Sequence, residues 1–169
     1  MTLQDFLDQC VGKWFSQRTS HALPPQELEA GKADLWIEAV EAGDTAVIAA
    51  CDRAGIDAST AIALRTRWDG QSGVAATKLT GTTLLIFGDG GQFAQTNGTG
   101  TQLTGTHSLG DDEALTIVAS ADDLTTEERI WFAGPNLRER TSTISYGSSG
   151  DRFASFCSEI RLGAAPAKS

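Results

Sequence analysis

The sequence predicts an all-β protein, an antiparallel barrel or sandwich of about eight to ten short strands with one helix at the front and one inserted helix. Three observations carry this. Apolar and polar residues alternate with a period of two through much of the chain, turn residues recur at short intervals, and helical periodicity is confined to two short segments. Closure is favoured over a sandwich, because a barrel removes exposed sheet edges and encloses space for one small ligand. The 169 residues, 40% of them hydrophobic, fit one domain, expected over residues 1–163 with a flexible tail at 164–169.

Leu3, Phe6, Leu7, Cys10 and Val11 fall on one face of a first helix, with Thr2 and Asp5 as its N-terminal cap and Gly12 as its stop. Residues 13–21 switch to period two, setting Trp14, Ser16, Arg18 and Ser20 against Phe15, Gln17, Thr19 and His21. Leu23-Pro24-Pro25 breaks that strand, and residues 32–41 alternate again with Ala33, Leu35, Ile37 and Ala39 on the apolar face. Asp44 caps a helix through Ala54, with Val47, Ile48 and Cys51 inward and Gly55 at its end. Strands follow at 61–69, 82–87 and, after the turn Gly88-Asp89-Gly90-Gly91, 92–96. Gly and Thr dominate residues 97–106, where strand signal is weak and mobility is expected. The chain closes with strands at 114–120, 126–133, 137–146 and 152–162, Gly134-Pro135-Asn136 joining the middle pair. On the last of these, Ala154, Phe156, Ser158, Ile160 and Leu162 form the more apolar face and are expected inside, which turns Glu159 outward.

Thirteen Lys and Arg against 22 Asp and Glu give a formal charge of −9, which disfavours nucleic acid and anionic bilayers as partners. No apolar run approaches the ~20 residues of a membrane span, and Met1-Thr2-Leu3-Gln4-Asp5 is no secretory leader, so a soluble cytoplasmic protein is expected. Cys10, Cys51 and Cys157 are odd in number and widely spaced, which reads as reduced thiols and no metal site. Asp111-Asp112-Glu113 lacks the spacing of a calcium loop, and the Gly88 to Gly91 turn lacks the lysine of a phosphate loop. No nucleophile lies beside a base, so hydrolytic catalysis has no support.

The chemistry concentrates in Glu127-Glu128-Arg129-Ile130-Trp131-Phe132 and Leu137-Arg138-Glu139-Arg140-Thr141-Ser142, which a hairpin places on neighbouring strands. Bulk favours Arg138, Arg140, Ser142, Ile144 and Tyr146 as the inward face, bringing two guanidiniums about 7 Å apart into the interior. Such a pair needs anions, either protein carboxylates or a ligand that carries two. A surface ladder pairing Arg138 and Arg140 with Glu127, Glu128 or Glu139 accounts for the same residues equally well. Arg18 and Trp14 offer the same choice between a clamp for a flat conjugated acid and a core Trp beside a rim Arg. A lone His21 with no carboxylate near it in sequence reads as a surface residue unless other groups join it.

Trp14-Phe15-Ser16-Gln17-Arg18-Thr19-Ser20-His21, residues 127–142 and Ser155-Phe156-Cys157-Ser158-Glu159-Ile160-Arg161 together resemble the S-type phycobiliprotein bilin lyases, the CpcS/CpeS family. The resemblance covers most of the chain. It implies a lipocalin-like, fatty-acid-binding-protein-like antiparallel β-barrel of about ten strands. It also implies a chromophore lyase of phycobilisome biogenesis, with phycocyanobilin or phycoerythrobilin as substrate and no permanently bound cofactor. The product is a thioether to a cysteine of a phycobiliprotein subunit.

The two propionates of a bilin give the arginines the anions they lack. The family pattern implies Glu128, Glu159 and His21 as the residues of transfer, and Trp14, Arg18, Trp68, Arg138, Arg140 and Ser142 as the chromophore contacts. A bulge or a rim position would reconcile that role of Glu159 with the alternation of its strand. Pairing with a second copy or a related lyase subunit, and residence in a cyanobacterial cytoplasm or plastid stroma, belong to the same reading. A non-catalytic tetrapyrrole carrier and a non-catalytic subunit of a heteromeric lyase are the alternatives. Between Gly70 and Gly110 the chain departs from the family pattern, being rich in Gly and Thr where an Arg-rich stretch is expected.

Overall fold

The computed structural model describes residues 1–23, 28–73, 76–97 and 100–163. Two helices, α1 (Leu3–Cys10) and α2 (Thr45–Ala54), accompany ten strands. The strands are β1 (Gly12–Leu23), β2 (Leu28–Val40), β3 (Ile62–Ser72), β4 (Thr77–Phe87), β5 (Gln92–Asn97), β6 (Gln102–Leu109), β7 (Leu115–Ala121), β8 (Leu124–Gly134), β9 (Leu137–Tyr146) and β10 (Arg152–Leu162). Each pairs antiparallel with its sequence neighbours, and β1 also pairs with β10, so the sheet closes into a barrel. The expected Pro24-Pro25 break and the tail 164–169 lie outside the described residues.

α1 forms because its apolar residues share one stripe and Thr2 and Asp5 make a reciprocal capping box. The stripe stoppers one end of the barrel. Phe6, Leu7 and Cys10 are buried there with Trp14, Leu35, Leu115 and Ile130, and the Phe6 ring meets Phe132 edge-on at 5.1 Å. Polar groups lock the stopper in place. Trp14 Nε1 donates to the Cys10 carbonyl at 2.9 Å, and Arg161 Nη1 and Nη2 donate to the Val11 and Gln9 carbonyls at 2.8 and 2.6 Å. These bonds satisfy carbonyls that the end of a helix leaves open. No helix among the described residues covers the opposite end of the barrel.

α2 lies outside the barrel, where Val47, Ala50 and Cys51 pack on Ala63, Leu84, Ile86 and Ala94. Asp44 caps it and Gly55 ends it in the left-handed conformation, as expected. Ile48 does not face inward: it is exposed, and Ala50 takes its place. The small residues of β3 and β5 bring the helix close along the Val47, Ala50 and Cys51 stripe, and Ile48 falls about 100° around from Val47.

The larger departure is in β10, whose apolar face points to solvent. Phe156 is 46% exposed and Ile160 53%, whereas Cys157, Glu159 and Arg161 are buried. Register decides this. Glu159 pairs with Ser16 of β1 and Arg138 of β9, both on inward faces, so its parity is inward too. The irregularity expected near Glu159 sits instead in β8, between Phe132 and Gly134. β4 also begins at Thr77 rather than residue 82, its polar first half built by continuous pairing with β3.

Candidate functional site

Antiparallel register turns three polar strands into successive rungs on the inner wall. Ser16, Glu159, Arg138 and Phe132 form one rung across β1, β10, β9 and β8. Arg18, Cys157, Arg140 and Ile130 form the next, and Ser20, Ser155, Ser142 and Glu128 the third. The remaining wall is mostly apolar, with Leu35, Ile37, Leu64, Leu85 and Phe87 beside Thr66, Thr83 and Gln95, and α1 supplies a floor through Leu7 and Cys10. The cavity measures ≈ 340 Å³, within the range of small-molecule sites.

Glu159 is fully buried and holds two arginines: its Oε2 accepts from Arg138 Nε at 2.5 Å and its Oε1 from Arg140 Nη2 at 3.0 Å. Arg140 also reaches Glu128 at 3.4 Å and the Cys157 Sγ at 3.5 Å. Arg138 lies over Trp14 at 5.3 Å, and Arg161 over the same ring at 4.2 Å. Burial raises the Glu159 carboxyl, but the two guanidiniums outweigh it and hold the group below the usual 4.5. Burial likewise pushes the Cys157 thiol up, against the opposing pull of Arg140. Glu159 is therefore a carboxylate at neutral pH, and Cys157 a protonated thiol.

Arg18 is placed differently. Its Nη2 donates to Ser72 Oγ at 3.1 Å, its Nε has no partner, and no carboxylate of the described residues pairs with it. Arg140 Nε is also unpartnered. Three cations with inward parity, Arg18, Arg138 and Arg140, thus face two carboxylates, Glu128 and Glu159. Arg18, with which no carboxylate of the described residues pairs, and the open Nε of Arg140 suit an acidic ligand.

The residues expected at the site divide by position. Arg18, Trp68, Glu128, Arg138 and Arg140 line the cavity. Trp14 and Glu159 stand behind it as supports for Arg138. Ser142 is half-buried on the Glu128 rung, and His21 lies on the opposite face of β1 from Arg18, with its Nδ1 buried and unpartnered. Arg161, which ties α1 to the barrel, and the polar wall residues Thr66, Thr83 and Gln95 were not singled out by sequence. The inward parity of Leu64 and Trp68 carries Thr66 with it, a signal that alternation alone supplies.

Two predictions arise from this geometry. A Cβ on Gly81, which pairs with Trp68, would stand 2.2 Å from the Trp68 ring, so Gly81→Ala must displace that indole. The expected result is an altered near-ultraviolet circular dichroism spectrum with about 1–3 kcal/mol lost to overpacking. Because Glu159 is depressed in the folded state, its stabilisation is complete above 4.5 and drains away as pH falls through its folded value. Thermal melts should therefore fall below that pH in the wild type, with a shallower acid slope in Glu159→Gln.

A closed antiparallel barrel, stoppered at one end and carrying an unpaired guanidinium on a largely apolar inner wall, has the architecture of a small-molecule binding protein. Comparison with known proteins narrows this class. A family model described as CpeS-like protein matches residues 2–162, and the chain belongs to that family. The chain is 42% identical over 96% of its length to the chromophore lyase CpcS/CpeS of Thermosynechococcus vestitus, covering 94% of that protein. It is 37% identical over 95% of its length to chromophore lyase CpcS/CpeS 1 of Trichodesmium erythraeum, covering 98% of it. The solved S-type phycobiliprotein lyase CPES from Guillardia theta superposes with a TM-score of 0.85 at 28% identity, over 97% of this chain and 94% of that one.

Proposed function

We propose that the protein is a chromophore lyase that takes a linear tetrapyrrole into the barrel and joins it to a cysteine of a phycobiliprotein subunit. The observation that carries this reading is Arg18, a guanidinium with no carboxylate partner among the described residues, beside Arg140 on the wall of a largely apolar cavity, which suits the propionates and flat apolar body of a bilin. Arg18 and Arg140 engage the propionates, with Arg138 fixed beside them, and Trp68 packs on the tetrapyrrole face. Ser142, beside Glu128, donates a hydrogen bond to the chromophore.

In the transfer, the acceptor sulfur bonds to the exocyclic ethylidene carbon of ring A, the thiol loses its proton, and the tetrapyrrole gains one. Glu128, half-exposed beside Arg140, is the carboxyl that relays this proton. Glu159 acts through Arg138 and Arg140 as a positioning residue, since its paired carboxylate is ionised. His21, toward the uncovered end of β1, is assigned to the arriving thiol rather than to the cavity. His21→Ala should then leave bilin affinity unchanged while slowing transfer.

Phycocyanobilin or phycoerythrobilin is the substrate class, no resident cofactor is invoked, and a cyanobacterial cytoplasm or plastid stroma is the setting. The test mixes the protein with phycocyanobilin and an apo phycobiliprotein β-subunit. A fluorescent adduct that survives denaturing electrophoresis is expected. A bilin spectral shift with no adduct would overturn the lyase and leave a carrier.

A further inference from the structure

Three polar side chains on the cavity wall take no part in the arginine cluster: Thr66 of β3, Thr83 of β4 and Gln95 of β5. Their parity is inward. Thr66 pairs with Thr83 and Gln95 with Leu85, while Leu64, Leu85 and Phe93 on the same faces pack in the core. Their wall is the one across from the arginines. In the order of the closed barrel, β4 lies five strands from β9 and β5 five strands from β10, counted either way round. Thr83 therefore looks across the cavity to the Arg140 strand, and Gln95 to the Cys157 strand.

None of the three side chains makes a hydrogen bond to a described residue. Gln95 is the sharpest case, because register sets it between Leu85 and Leu103 on the neighbouring strands. A half-buried carboxamide among leucines forgoes a donor and an acceptor at once, a cost that an apolar side chain would not carry. The ligand is the partner that this position lacks.

We propose that Gln95, flanked by Thr66 and Thr83, is the subsite for a cyclic amide, a terminal lactam ring of the bound ligand. A carboxamide presents one N–H and one C=O side by side and carries no charge. Its complement is a group with the same pair in one plane, which a lactam holds cis within its ring. Two parallel hydrogen bonds then close: Gln95 Nε2 donates to the lactam oxygen, and the lactam N–H donates to Gln95 Oε1. A carboxylate offers acceptors only and an ammonium donors only, so neither completes the pair. The Thr83 hydroxyl, one strand away, supplies a donor for the second lone pair of the lactam oxygen.

This inference rests on the bilin reading and deepens it, since a linear tetrapyrrole ends in two lactam rings, A and D. Ring A must meet a thiol arriving at the uncovered end, so the ring held on Gln95 is ring D. The arginines hold the propionates on one wall, and the carboxamide on the other decides which terminal ring stays inside.

The test uses a dipyrrinone acid, half of a bilin with one lactam and one propionate, against its lactim O-methyl ether, which has lost the N–H and the carbonyl. In absorbance titrations the wild type should bind the dipyrrinone about tenfold or more tightly than the ether. Gln95→Met keeps the length of the side chain without its polar atoms, and should reduce that preference to about twofold or less through lost dipyrrinone affinity. The variant should melt no lower than the wild type, because it gives up no hydrogen bond within the protein. A wild type that binds the two probes alike, or binds neither, would overturn the proposal, as would a folded Gln95→Met variant with the preference intact. Phycocyanobilin titrated alongside separates this from the bilin reading. Discrimination between the half-bilins without phycocyanobilin binding would keep the lactam subsite and remove the bilin, whereas phycocyanobilin binding without discrimination would remove the subsite alone.

Discussion

Glu159→Ala is expected to lower the unfolding free energy by about 3–5 kcal/mol, the cost of breaking a buried ion pair from one side. Glu159 is completely buried, and its two oxygens hold Arg138 at 2.5 Å and Arg140 at 3.0 Å. Removing the carboxylate leaves Arg138, 5% exposed, charged within an apolar wall. Arg140 keeps Glu128 and a quarter of its side-chain surface in solvent, so the loss concentrates on Arg138. Chemical denaturation measures the effect. A variant that removes both ends, Glu159→Leu with Arg138→Met, discards the stranded charge and should recover most of the stability. It should still bind bilin more weakly, because Arg140 then lacks one of its two anchors. A Glu159→Ala variant as stable as wild type would show that water reaches this rung and solvates Arg138 in place of the carboxylate.

The same cluster explains which parts of the molecule were legible in the sequence. The inward face of β9 was readable because bulk marked Arg138, Arg140 and Ser142, and residues 137–146 form the expected strand. The face of β10 was not. Alternation ranks Phe156, Ile160 and Leu162 above Cys157, Glu159 and Arg161, but the ranking counts apolar transfer alone. Two inward arginines and the open carbonyls of α1 need a buried carboxylate and a buried guanidinium, and only that parity supplies Glu159 and Arg161 together. Ile48 failed for a smaller reason, since Ala50 permits the close approach that Ile48 would prevent. The polar start of β4 was invisible because pairing with β3 builds it rather than any pattern of its own. The cap of α1, by contrast, is local chemistry between Thr2 and Asp5, and the sequence shows it directly.

Arg18→Ala should weaken bilin binding by about one to two orders of magnitude, which corresponds to losing a charge-assisted hydrogen bond of roughly 1.5–3 kcal/mol. Of the three arginines on the wall, Arg18 gives the cleanest test. Arg138 and Arg140 are both bound to Glu159, so deleting either disturbs the barrel as well as the ligand. Arg18 gives up one bond to Ser72 Oγ, and its removal should cost no more than about 1 kcal/mol of stability. Arg18→Lys keeps the charge but loses the planar fork, so it should recover only part of the affinity. Absorbance titration with phycocyanobilin, beside a denaturant melt of each variant, separates the two effects. Equal affinity in Arg18→Ala and wild type would mean that the unpartnered guanidinium does not meet a propionate, and the match of this wall to an acidic ligand would fail at the residue best placed to show it.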